Sequence, residues 1–95
     1  MIIDRKKAVS LIKERFDRKD GSMMLAARCM AAIPTESDDF ASDLRIALSA
    51  NAGEDEAAQL RRHYKKRSGG RSRTRDAMLA FKDEMFAILM ESEVK

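Results

Sequence analysis

The chain has no tryptophan, and cysteine, proline, histidine and tyrosine occur once each. A single cysteine excludes an internal disulfide and points to a reducing compartment, with the cytoplasm as the expected location. Cys29 and His63 together fall short of the three or four ligands that a zinc site needs, and nothing in their placement suggests a nucleophile and its base. No uncharged run is long enough to cross a membrane. The opening MIIDRKKAVS has basic residues without the apolar stretch of a secretory signal. No membrane role is therefore expected.

Further absences narrow the chemistry. The glycine-containing stretch SGGRS lacks the lysine–hydroxyl pair of a phosphate-binding loop. Glu36, Asp38, Asp39 and Asp43 are close in sequence, but their spacing does not match a calcium loop and no glycine stands at the turn position. Local capping accounts for most of them. With no paired carboxylates, triad or cofactor fingerprint, the reading is a non-enzymatic protein with no cofactor and no metal.

What is abundant is helix-forming. Ala, Leu, Met, Lys, Glu and Arg dominate, β-branched residues are few, and no stretch alternates at period two. Little or no sheet is predicted. A first helix should start after Asp4 and run to about Arg18, with Ala8, Ile12 and Phe16 inward and Val9 and Leu11 widening that face. Gly21 suits a left-handed stop and Ser22 a cap for a second helix over about 23–32. That helix is charged only at Arg28, so most of its circumference should be buried, and Pro34 should end it.

Thr35 or Ser37 should cap a third helix, with Glu36, Asp38 and Asp39 in its first turn and Phe40, Leu44, Ala47 and Leu48 inward. A fourth helix begins Glu54-Asp55-Glu56 and ends in Lys65, Lys66 and Arg67, which matches the helix dipole at both termini. Ala57, Leu60 and Tyr64 are its inward residues. Ser72 or Thr74 should cap a longer fifth helix to about Glu93. The expected fold is all-α, a compact bundle of about five short helices with a longer C-terminal one. At 95 residues it should be a single domain, with a basic flexible loop around 67–74.

Two features stand out against that frame. The first is RRHYKKRSGGRSRTR, residues 61–75, with eight Lys or Arg and no acid. The rest of the chain holds 11 bases against 16 acids, so a segment near +8 sits in a chain near −5. Arg61, Arg62, Lys65 and Lys66 should cover one half of the fourth helix, followed by Arg67 and then by Arg71, Arg73 and Arg75 on a loop. Phosphates favour arginine, whose planar fork can bond two oxygens at once. A polyanion, an acidic protein surface and a merely solvated segment all remain open, and the run also resembles a nuclear-localisation signal of a kind common by chance. A helix-turn-helix reader fits poorly, because Glu54, Asp55 and Glu56 occupy the end that would meet the bases.

The second feature is the fifth helix. Met78, Phe81, Met85, Ile88 and Leu89 form one stripe, and Leu79, Phe86 and Met90 a neighbouring one beside Lys82. Together they span roughly 220° of the circumference, more than a one-sided surface helix needs. Either this helix is packed from two sides or its second stripe meets another chain. Seven methionines fit an adaptable surface as well as a core.

The leading functional expectation is a small regulatory or accessory protein, in the style of bacterial or phage-encoded regulators, contacting nucleic-acid phosphates through the eight bases. The alternative is an adaptor or inhibitor of a larger protein, docked through the basic segment, the last helix or both. The third is a homo-oligomer joined by Leu79, Phe86 and Met90.

Overall fold

The computed structural model describes residues 1–68 and 73–94, with the backbone alone for 66–68. Five helices run in the order α1 (Arg5–Arg15), α2 (Ser22–Ala32), α3 (Phe40–Asn51), α4 (Glu54–Ser68) and α5 (Thr74–Glu91). Two short strands, β1 (Ile2–Ile3) and β2 (Glu93–Val94), pair antiparallel with Ile2 opposite Val94. The fold is all-α with this one small sheet. The apolar side chains of all five helices meet in one core.

The longest helix is central. α5 packs against α4, α3 and α1, while α2 packs against α3, α1 and α4. Phe81, Met85, Ile88 and Leu89 are fully enclosed, on the first of the two stripes read from the sequence. Met78 is partly buried at its edge. Phe16 from the end of α1 meets the Phe81 ring at 5.6 Å, inside the range of favourable tilted aromatic pairs.

The N-terminus ties three distant pieces together. The Asp4 N–H donates to the Ser92 carbonyl at 2.7 Å, the Ile3 N–H to Thr35 at 3.1 Å, and the Ser37 N–H to Met1 at 3.0 Å. Just beyond, the Arg5 guanidinium donates to the Met30 carbonyl at 2.7 Å, to the Ile33 carbonyl and to the Thr35 hydroxyl. It thereby satisfies carbonyls that the end of α2 leaves without helical partners.

Several local expectations need correction. α1 stops at Arg15 rather than near Arg18, because Phe16 turns extended (φ −107°, ψ 142°) to reach the core. Leu11 does pack against that core, but Val9 faces solvent. Gly21 is left-handed as expected, at φ 73°, and an added Cβ would come within 2.6 Å of the Gln59 carboxamide. Ser22 is the first helical residue instead of a cap, and its buried hydroxyl donates to the Asp17 carbonyl at 3.2 Å. α2 buries one side only. Met24 is 60% exposed, because the three helices that pack on α2 leave its other face open.

The start of α3 also differs. Asp39 is the cap and accepts the Ser42 N–H at 3.0 Å, so Glu36 and Asp38 precede the helix and only Asp43 lies in its first turn. The pairing of residues 35–37 with the N-terminal segment holds Thr35 and Ser37 out of the helix. The inward stripe Phe40, Leu44, Ala47 and Leu48 is buried as read.

Of the loop read over residues 67–74, positions 69–72 lie outside the described residues. α4 continues through Ser68, and α5 begins at Thr74 with Arg73 as a cap that makes no side-chain bond. Thr74 is helical, and Ser72 lies outside the described residues. At its other end α5 stops at Glu91, where the chain turns through Ser92 into β2.

The closed core makes two measurable demands. Phe81→Ala should lower stability by about 3–5 kcal/mol in urea unfolding, the usual cost of emptying a full aromatic site, and a loss below about 1 kcal/mol would contradict its enclosure. Burial also raises the Cys29 thiol from its ordinary value of 9.0 to about 11, with the Arg28 charge opposing. The unfolded thiol therefore ionises first, and the contribution of Cys29 is complete below pH 9.0 and lost as pH rises towards about 11. Wild type should lose more stability across that window than Cys29→Ala. Parallel losses in the two proteins would show the thiol to be accessible.

Candidate functional site

α4 divides sharply by face. Leu60, His63 and Tyr64 point inward and are buried, while Arg61, Arg62 and Lys65 are exposed on the outer side. The inner aromatics are committed to the core. The Tyr64 hydroxyl donates to Glu84 Oε2 of α5 at 2.7 Å. The His63 ring lies 4.8 Å from Tyr64 and 5.6 Å from Phe16, with Nδ1 3.3 Å from the Ser22 hydroxyl. Neither ring is presented as a platform for stacking a base. His63 is an inward residue that apolar patterning alone passes over. Its signal was its place three residues after Leu60.

The acids at the start of α4 have a structural occupation. The Glu56 carboxylate accepts the Gly53 N–H at 3.0 Å, one half of a capping box, and pairs with Arg28 of α2 at 3.2 Å. Backbone N–H groups, its own and that of Gly53, together with Arg28 hold this carboxyl below the usual range. The acidic end of α4 is thus tied to α2, and the bases lie towards its other end.

Among the eight bases read from the sequence, five have described side chains. Arg61, Arg62 and Lys65 stand on the C-terminal half of α4, and Arg73 and Arg75 at the start of α5. All five are exposed, and among the described residues none forms an ion pair. α4 and α5 pack side by side and are joined by a short connection, so the C-terminal end of one and the N-terminal end of the other share one end of the bundle. Arg75 is helical rather than part of a loop, and Arg73 is the cap. Lys66 and Arg67 belong to the last turns of α4, but their side chains lie outside the described residues, as does Arg71 altogether.

The second stripe of α5 stays out of the core. Leu79, Phe86 and Met90 are 45%, 39% and 45% exposed. Steps of seven and four residues keep them within about 40° of one another on the helix, and Arg75, four residues before Leu79, continues the same flank. Among the described residues the first stripe is enclosed by the helices that pack on α5, and the second is left partly exposed.

Between this flank and α3 lies a groove of about 530 Å³. Leu48, Met78 and Leu79 supply its apolar lining, with the Thr74 side chain at one end. Its charged residues are Arg45, Arg75 and Lys82, and no acid lines it. Arg45 and Lys82 were not among the residues singled out from sequence. They lie on different helices, each among neutral or acidic neighbours, and only the packing of α3 on α5 unites them with Arg75.

Among the described residues no three His, Cys, Asp or Glu side chains come together in a way that could hold a metal ion, and no helix is long and apolar enough to cross a membrane. Comparison with protein-family models, with curated proteins and with solved structures found no match for the chain.

Proposed function

We propose that this protein is a small non-enzymatic accessory or regulatory protein that binds nucleic acid through its phosphates, using the basic end formed by α4 and α5. The observation that carries this reading is the exposure of Arg61, Arg62, Lys65, Arg73 and Arg75 at that end without an ion pair among the described residues. A surface cation already paired within the chain would have to break that pair before meeting a phosphate. These five do not. Lys66, Arg67 and Arg71 extend the same stretch of sequence.

The mode is electrostatic and indifferent to base sequence. The N-terminal end of α4, the place from which a recognition helix would read bases, carries Glu54, Asp55 and Glu56. Tyr64, which could have stacked on a base, is spent on the core and on Glu84. What remains is backbone contact, which positions a duplex or a single strand without specifying it.

Salt dependence provides the test. With about four to six phosphates neutralised, the slope of log affinity against log salt on a short DNA duplex should be near −4 to −5. The double variant Arg62→Glu with Arg73→Glu should reduce the steepness by about two and weaken binding to all sequences alike. Its melting temperature should stay close to that of wild type, because both side chains are exposed and form no ion pair among the described residues. No detectable duplex binding at about 0.1 M salt, where screening is moderate, would overturn the reading.

A further inference from the structure

Phosphate binding leaves one surface of the molecule unexplained. Leu79, Phe86 and Met90 are large, apolar and exposed along one flank of α5, and the groove lined by Leu48 and Met78 opens beside Leu79. Nucleic-acid backbone has no use for such a strip. From Leu79 to Met90 it runs about 16 Å, the length of three helical turns. We infer that this groove and flank form a docking site for an acidic amphipathic helix of a different protein.

The charge pattern identifies the occupant. Apolar residues line the groove, and its charged residues, Arg45, Arg75 and Lys82, are all positive. A helix that places Leu, Phe or Met at positions i, i+3 or i+4, and i+7 would fill the apolar strip in the usual helix-in-groove manner. Asp or Glu beside those anchors would meet the three cations. A basic or neutral amphipathic helix would fit the shape but would leave these cations facing like charge or nothing.

A second copy of the chain fits less well. In an antiparallel pairing of α5 with its own copy about a twofold axis, the side of the helix that carries Arg75 and Lys82 faces the same side of the copy. The cations of the groove would then approach one another. A head-to-tail contact would require an acidic, apolar helix face elsewhere on this chain. On the helices, Val9, Met24 and Ile46 are exposed singly and form no such face, and the exposed Met1, Ile2 and Val94 belong to the two-stranded sheet and the residue before it rather than to a helix. The remaining occupant is a foreign helix. Met78 and Met90, unbranched and adaptable, suit a surface that must close around it.

This site shares only Arg75 with the phosphate reading, and the two fail separately. The probe is a labelled synthetic peptide of about 16 residues, long enough for three to four helical turns, with Leu anchors and Glu at the flanking positions. A matched peptide carries Lys at every Glu, and fluorescence anisotropy is measured with the full chain. The acidic peptide should bind at least about tenfold more tightly than its basic twin. Amide shift changes should centre on residues 45–48 and 75–90. Leu79→Ser with Phe86→Ser should lower acidic-peptide affinity about tenfold or more while leaving the DNA salt slope and the melting temperature unchanged.

Lys82→Glu should shift preference towards the basic peptide. Equal binding of the two peptides, no binding of either, or complete displacement of the acidic peptide by DNA would overturn the inference. So would a dimer in sedimentation velocity that Leu79→Ser dissociates, since the occupant would then be a second copy.

Discussion

Burial of one face of α5 is the constraint on which the rest of the molecule depends. Phe81, Met85, Ile88 and Leu89 have no exposed surface, and three of the other helices pack on the helix that carries them. A fully buried side chain of this size contributes roughly 1.5–3 kcal/mol relative to an exposed one, so these four together outweigh any surface pair in the protein. Because α5 is held by that face, its remaining circumference is offered to solvent at a fixed angle. The exposure of Leu79, Phe86 and Met90 and the groove beside α3 follow from the same placement.

The N-terminal segment closes the bundle from the opposite side. Four residues of extended chain and one arginine join the end of α5, the end of α2 and the approach to α3. The contacts are nearly all to backbone groups that would otherwise be left unsatisfied at helix ends. Arg15 adds a surface ion pair to Glu91 at 2.5 Å, which fastens the last turn of α1 to that of α5. The N-terminal segment thus determines where α3 begins, and with it the position of Arg45 and Leu48 along the groove.

Two surfaces result, with different chemistry and one shared residue. The outer face of α4 and the start of α5 are polar and positive. The flank of α5 is apolar, with Arg75 and Lys82 on the side of the groove and the exposed Asp83 on the other. Arg75 belongs to both, four residues before Leu79 on the same flank and beside Arg73 at the basic end. A partner seated in the groove and a phosphate at the basic end would compete for that one side chain while leaving the other contacts intact.

The sequence by itself determined the number and type of the helices, the inward stripes of α3 and α5, the left-handed turn at Gly21 and the position of the basic segment. Each of these is written in neighbouring residues: periodic apolar spacing, a glycine where positive φ is needed, acids and bases at matching helix ends. It pointed to Thr35 or Ser37 as the cap of α3, because local rules accept either hydroxyl, whereas pairing with the N-terminal segment holds both out of the helix and Asp39 is the cap. It showed a second apolar stripe on α5 without showing whether that stripe would be covered. Tertiary structure decided that, and it alone brought Arg45 from α3 and Lys82 from α5 to one groove with Arg75. A groove belongs to the space between two helices, and residues 37 positions apart in the chain share it only after the core has placed their backbones.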